Sequence, residues 1–116
     1  MKNGKLHEIE KLIKINKIDE AQYDLSKLDQ EFLKNSEYLY LRAKIFFIKK
    51  IYYTAIDALL IATEFEENDK VYNLLSEIYA VIGNQELSKK ISDHNLRIST
   101  INALKKELTG ISQNEK

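Results

Sequence analysis

The chain repeats itself over residues 5–92, first at a shift of 34 positions and then at a shift of 33. Small residues coincide at these shifts, as Ala21, Ala55 and Ser88 do. The other matched columns are Leu12, Phe46 and Tyr79; Ile9, Ala43 and Ser76; Leu25, Leu59 and Ser92; Ile18, Tyr52 and Gln85; and Asn16, Lys50 and Gly83. A period near 34 residues is typical of helix-turn-helix repeats, whose units must stack to bury their apolar faces. The pattern therefore predicts a stack of helical hairpins.

Few residues interrupt helix formation, because the chain has no proline and only three glycines. We expect Gly4 to open the first helix, Gly83 and Gly110 to end later ones, and Ser36 and Asn68 to begin others. The pattern predicts seven helices, at about 5–15, 19–33, 36–49, 52–66, 69–82, 85–93 and 95–109. The last two either separate near residues 93–95 or run together, and a frayed polar tail is expected at 111–116.

The length of 116 residues indicates one domain, at 1–110, with three repeats at about 2–35, 36–68 and 69–94. A final helix at 95–109 is predicted to cap the stack, since it is apolar on one side only. Its apolar side is expected to carry Ile98, Ile101, Leu104 and Leu108, and its polar side Arg97, Thr100, Lys105 and Lys106.

Two segments carry a more specific resemblance. They are Tyr72-x-x-Leu75-Ser76-x-x-Tyr79, and Ala43-x-x-Phe46 followed by Ala55-x-x-x-Leu59-x-x-Ala62. Both are similar to the tetratricopeptide repeat, although Arg42 stands where that family usually has leucine. The resemblance implies an all-α, right-handed solenoid of helical hairpins that works as a scaffold for binding another protein.

Composition argues against several other functions. The 18 basic and 18 acidic side chains cancel, so the chain lacks the basic excess typical of nucleic-acid or anionic-membrane binding. It has no cysteine, which excludes disulfides and thiolate metal sites. The N-terminal region carries lysines in place of an uninterrupted apolar stretch, so no signal peptide is visible. We therefore expect a cytoplasmic protein that binds neither nucleic acid nor membrane.

No catalytic, metal or cofactor site is expected, because the sequence has no phosphate-binding glycine loop and no nucleophile motif. His7 and His94 are far apart and interpreted as surface residues. The acidic run Glu64, Glu66, Glu67 and Asp69 lacks calcium-loop spacing and is interpreted as a solvated turn. Lys49, Lys50, Tyr52 and Tyr53 are interpreted as a hairpin turn with Tyr52 packed inward, in preference to a base-stacking site.

The leading functional hypothesis is an adaptor or small client chaperone that holds a peptide or an amphipathic helix in a concave groove. The family resemblance implies that the first helix of each hairpin lines this groove. The candidate residues are Leu6, Glu10, Ile13, Tyr40, Lys44, Phe47, Ile48, Asn73, Glu77, Ala80 and Val81. The carboxylate clamp known in the family is implied to be absent, because only Lys70 fits among Leu6, Glu10, Leu41, Lys70 and Leu74.

The alternative hypothesis is a self-assembly unit that forms a homodimer. The segment 51–62 carries a single charge, Asp57, and more apolar residues than one face within the chain needs. Surplus apolar surface often marks an interface. The candidate interface residues are Tyr53, Ile56, Leu60 and Ile61.

Overall fold

The computed structural model describes the backbone of residues 2–28 and 30–114, and the side chains of residues 4–28 and 32–107. Seven α helices follow one another: α1 (Lys2–Lys14), α2 (Ile18–Ser26), α3 (Ser36–Ile48), α4 (Tyr52–Ala62), α5 (Asp69–Val81), α6 (Gln85–Ser92) and α7 (Arg97–Asn114). A short 3₁₀ helix (Gln30–Lys34) precedes α3. These described ranges contain no strand, so the all-α prediction is confirmed there. Within them, no helix is both long enough and apolar enough to cross a lipid bilayer.

The chain forms two compact units, Met1–Val71 and Tyr72–Lys116. In the first unit α1 packs against α2, and α3 packs against α4. Helix α3 also contacts α1, α2 and the 3₁₀ helix, so it is covered on several sides. The sequence of α3 fits this central position, because its apolar residues lie on several sides of the helix and each side can pack against a neighbour. The buried residues of α3 are Ser36, Tyr38, Leu39, Leu41, Ala43 and Ile45.

Small side chains occupy the core positions of the first unit that the repeat aligns. Ala21, Ala43 and Ala55 are completely buried. Ile9, which aligns with Ala43, and Leu59, which belongs to another repeated column, are buried as well. Two helices can approach closely only where small side chains face each other, and larger residues then fill the space around that crossing. The columns of Ala21, Ala43 and Leu59 therefore correspond to core positions in this unit, whereas Leu12 and Phe46 of another column are half-buried.

The turns inside the three hairpins share one backbone geometry. Asn16, Lys50 and Gly83, which form one repeat column, have φ angles of 64°, 66° and 92°. The amide N–H of each residue that follows them donates to the carbonyl five residues earlier: Lys17 to Leu12 at 2.9 Å, Ile51 to Phe46 at 2.8 Å and Asn84 to Tyr79 at 2.8 Å. This is the Schellman arrangement, in which a left-handed residue closes a helix. The repeat is thus present in the backbone of all three hairpins.

Replacing Lys50 with glycine is expected to stabilise the chain. A side chain in the left-handed region costs about 1 kcal/mol relative to glycine, and Lys50 adopts that conformation. We expect Lys50→Gly to exceed Lys50→Ala in unfolding free energy by about that amount, as measured by urea denaturation. The alanine variant is the control, since it removes the charge but keeps Cβ. Equal stability of the two variants would show that this turn carries no backbone strain.

In the second unit the crossing of α5 and α6 is built from hydroxyl groups. The hydroxyl of Ser76 donates to the carbonyl oxygen of Ser88 at 2.8 Å, and its oxygen lies 3.0 Å from Ser88 Oγ and 2.7 Å from Ser92 Oγ. Serine is small enough for a close crossing, and hydrogen bonds satisfy its buried hydroxyl. The third hairpin therefore uses directional polar contacts where the first two have isoleucine, alanine and leucine.

Helix α7 packs against α6 with a face that matches the predicted one only in part, since Ile101 is buried and Leu104 half-buried as members of the predicted apolar side. Ile101 is 2% exposed and Thr100 is buried, whereas Ile98 is 51% exposed. Arg97 contributes to this packing, because its Nε donates to the Ile91 carbonyl at 2.7 Å and its guanidinium lies 4.5 Å from the centre of the Tyr72 ring. Arg97, Thr100 and Ile101 thus share the packed side of α7. Leu108 lies outside the described side chains.

Several helix boundaries also differ from the prediction. Helix α2 ends at Ser26, seven residues earlier than expected, where the Ser26 hydroxyl donates to the Tyr23 carbonyl. Thr63, which follows α4, donates to the Leu60 carbonyl in the same way. Such hydroxyl contacts compete with continued helical hydrogen bonding. The N-cap of α3 is Asn35, not Ser36. Neither Gly4 nor Gly110 marks a helix edge, since α1 begins at Lys2 and α7 continues to Asn114.

Candidate functional site

The strongest candidate surface in the first unit is a line of four side chains on α3, called here the α3 face: Tyr40, Lys44, Phe47 and Ile48. Their spacing of four, three and one residues places them on one side of the helix. The first three are half-buried and Ile48 is 38% exposed, so they are neither core residues nor fully solvated. A partner could therefore bury the remaining surface of all four.

Aromatic contacts hold the α3 face in place. The Phe47 ring lies 5.9 Å from the Tyr52 ring, at an interplanar angle of 54°. The ammonium group of Lys44 lies 5.7 Å from the centre of the Phe47 ring, within the range of a cation–π interaction. Tyr52 was interpreted as part of the hairpin turn with its side chain packed inward; it is the first residue of α4 and is half-buried. These contacts orient an aromatic surface and a positive charge side by side.

A charged cluster adjoins the α3 face at Tyr40. The Lys70 ammonium lies 3.4 Å from Glu10 Oε2, 3.7 Å from Glu37 Oε2 and 5.7 Å from the Tyr40 ring centre. Asn68 Nδ2 donates to Glu37 Oε1 at 3.2 Å. Partial burial lowers the pKa of Lys70, but Glu37 and Glu10 together raise it more, so this pKa lies above its ordinary value. With one ammonium and two carboxylates, the cluster has one surplus negative charge.

The charged cluster also bears on whether Lys70 could take part in a carboxylate clamp. A carboxylate clamp needs a lysine that is free to bind the terminal carboxylate of a ligand. Lys70 already has two carboxylate neighbours within the chain. Leu6, Leu41 and Leu74, at the other positions compared with the clamp, are buried. The structure therefore supplies no clamp in these residues.

In the second unit, the predicted residues lie along one side of α5. Asn73, Glu77 and Val81 are exposed at spacings of four residues, and Ala80 is half-buried beside them. Leu74, Leu75 and Ile78 on the same helix are buried. Helix α5 is therefore amphipathic, with one buried apolar side and one exposed side, and the exposed side is more polar than the α3 face.

Four predicted residues are core residues. Leu6 and Ile13 are buried on the same side of α1 as Ile9, because that helix has one apolar stripe and uses it for packing. Ile56 and Leu60 of α4 are likewise buried. Glu10, between Leu6 and Ile13, is half-buried and joins the charged cluster. Leu6 and Ile13 therefore leave the candidate groove, and Ile56 and Leu60 leave the candidate dimer surface.

The other two predicted dimer residues are accessible. Tyr53 is 72% exposed and Ile61 is 48% exposed. Leu33, Arg42 and Asp57 lie with Ile61 around one depression. The sequence marked Ile61 through the apolar surplus of segment 51–62 and Arg42 through its departure from the repeat pattern, whereas nothing in the sequence marked Leu33. An arginine in place of an aliphatic residue indicates a position that faces solvent or a partner.

The remaining chemical candidates are dispersed. His7, His94, Glu64, Glu66, Glu67 and Asp69 are exposed. Among the described residues, no three histidine, cysteine, aspartate or glutamate side chains are grouped as metal ligands. Lys49 bonds with Asp19 Oδ1 at 3.0 Å and with the Gln22 side chain, which joins the α3–α4 turn to α2.

Comparison of the chain with protein-family models, characterised proteins and solved structures finds no match. The α3 face, the charged cluster and the accessible side of α5 are therefore the observations from which a function is inferred.

Proposed function

We propose that this chain is a tetratricopeptide-like interaction module that binds a peptide or an amphipathic helix of another protein, as an adaptor or as a small chaperone for one client. The architecture supports this proposal in two ways. Three hairpins share one turn geometry at the repeat period. In the first unit α3 contacts α4 within its hairpin and both helices of the preceding hairpin, as stacked repeats require.

The observation that carries the proposal is the α3 face. It exposes parts of Tyr40, Phe47 and Ile48 beside the positive charge of Lys44. Aromatic residues that are held rigidly lose little conformational entropy on binding and commonly dominate binding energies. A partner residue of apolar character would cover Phe47 and Ile48, and an acidic group would pair with Lys44.

The charged cluster adds an orientation signal. Its surplus negative charge lies at the Tyr40 end of the α3 face, whereas Lys44 supplies a positive charge one helical turn further along. A bound segment with a basic group near Glu10 and Glu37 and an acidic group near Lys44 is favoured in one direction. The reversed segment would place like charges together, which costs more than the loss of an attraction.

The double substitution Tyr40→Ala with Lys44→Glu is expected to weaken partner binding by about 2 kcal/mol or more, because it removes an aromatic anchor and reverses the orienting charge. The partner is first isolated by affinity capture from the source cell and identified by mass spectrometry. Isothermal titration then compares the wild type with the variant. Thermal unfolding is measured in parallel, and only a small change is expected since both side chains are half-buried.

The chain contains a matched control for this experiment. Tyr23 and Lys27 are also a tyrosine and a lysine four residues apart, are both exposed, and make a cation–π contact of 4.2 Å. Tyr23→Ala with Lys27→Glu therefore removes the same groups from the C-terminal end of α2 and the residue after it, outside the proposed site. Full affinity in the control with reduced affinity in the test variant supports the α3 face. Unchanged affinity in a folded test variant excludes it.

A further inference from the structure

A second surface of the first unit has the features of an interface. The 3₁₀ helix, α3 and α4 enclose a depression that is lined mainly by apolar atoms. Its lining residues are Leu33, Tyr38, Leu39, Arg42, Thr54, Asp57, Ala58 and Ile61. Tyr53 lies one helical turn before Asp57 on α4, so the two residues share one side of that helix. We call Leu33, Arg42, Tyr53, Asp57 and Ile61 the α4 face.

The α4 face exposes more apolar surface than an isolated exposed residue does. Leu33 and Ile61 are each 48% exposed around the same depression, and Tyr53 is the most exposed of the large apolar side chains described. Single exposed apolar residues are common on monomers, but a group of them around one concavity is typical of an interface. The α4 face is separate from Tyr40, Lys44, Phe47 and Ile48, so it is not part of the partner site proposed above.

The charges on this face complement one another. Arg42 lies on α3 and Asp57 on α4, and both are exposed around the same depression. Arg42 has its guanidinium 5.4 Å from the Phe46 ring centre, and Asp57 forms no ion pair with any described residue. When two identical faces meet about a two-fold axis, a residue i of the first copy that contacts residue j of the second is matched by residue j of the first contacting residue i of the second. Arg42 of each copy can then pair with Asp57 of its partner, giving two pairs.

We propose that the α4 face binds a second copy of this chain in a two-fold symmetric dimer. Leu33, Tyr53 and Ile61 form the apolar centre, and the two Arg42–Asp57 pairs fix the register. The formal net charge of the chain is zero, so no long-range repulsion opposes association of two copies. Such a dimer would carry two α3 faces and could bind two partner segments at once.

Charge reversal tests this arrangement on the full chain. Sedimentation equilibrium at micromolar concentrations is expected to show a dimer for the wild type. Arg42→Asp and Asp57→Arg are each expected to weaken dimerisation at least about tenfold, because each places like charges opposite one another in both pairs. An equimolar mixture of the two variants is expected to restore a dimer, since one chain then carries two positive and the other two negative residues.

Glu8→Arg provides the control, as it reverses an exposed charge on α1 outside the α4 face. Tyr53→Ser tests the apolar centre without changing charge, and is expected to weaken the dimer about tenfold. Circular dichroism melts establish that every variant folds. A wild type that stays monomeric at all concentrations overturns the proposal. So does a dimer that tolerates both reversals, or a mixture of reversed chains that stays monomeric.

Discussion

Replacing Ala55 with phenylalanine is expected to destabilise the chain by about 2 to 3 kcal/mol or more, because an added ring must displace neighbouring atoms in a packed core. Ala55 is completely buried on α4, which packs tightly against α3, and Ala43 on α3 is completely buried as well. For a chain of this size the loss corresponds to a fall in Tm of roughly 10 °C. Differential scanning calorimetry measures it directly.

Ala103→Phe is the control for that experiment, since Ala103 lies on a helix but is exposed. Its substitution is expected to change the unfolding free energy by less than about 0.5 kcal/mol. If Ala55→Phe is equally neutral, the alanine column of the repeat does not mark a close helix crossing. A severe effect at Ala55 alone ties the sequence period to the packing of the hairpins.

Removing α7 by ending the chain after Asp93 is expected to make the protein aggregate. Ile91 is completely buried and Ile101 nearly so, and α6 packs against α7. Loss of the buried Ile101 alone corresponds to about 1.5 to 3 kcal/mol, and any exposure of Ile91 adds to that loss. The truncation also removes Arg97 from the Ile91 carbonyl and the Tyr72 ring. The soluble fraction after centrifugation and the thermal unfolding curve report the effect.

Ile98→Ser tests whether the buried side of α7 stabilises the chain, or whether any apolar residue on that helix does so. Ile98 is exposed on that helix, so its substitution is expected to leave stability almost unchanged. A truncated chain that is soluble, monomeric and as stable as the full chain would contradict a capping role. In that case α7 would serve as an arm for contacting a partner.

The sequence predicted the repeated core and turn positions because each is set by a local requirement. Ala21 and Ala55 occupy places where only a small side chain fits, and Asn16, Lys50 and Gly83 occupy turns that need a left-handed residue. Helix boundaries were predicted less well. Helix α2 ends at Ser26, well before the predicted boundary, and Gly110 lies inside α7, so residue preferences alone do not fix where a helix stops.

The candidate surfaces could be predicted only in part. Tyr40 and Lys44 were predicted to be at least partly exposed and are half-buried. Ile56 and Leu60 were misplaced because α4 is apolar on most sides, so its sequence does not show which apolar residues face inward. The charged cluster joins Glu10, Glu37 and Lys70 from three separate helices, a contact that no local pattern reveals.

The shared turn geometry separates places where the chain tolerates insertion from places where it does not. Each turn inside a hairpin is three residues long, at 15–17, 49–51 and 82–84. The amide N–H groups of its second and third residues donate to carbonyls three and five residues earlier, and both hydrogen bonds fit only a turn of that length. The segment 63–68 between α4 and α5 contains no left-handed closing residue, and between Phe65 and Asn68 it has two exposed residues, Glu66 and Glu67. Peptide tags or reporter loops can be grafted there at small entropic cost, whereas a single residue added to a hairpin turn would break its closing bonds.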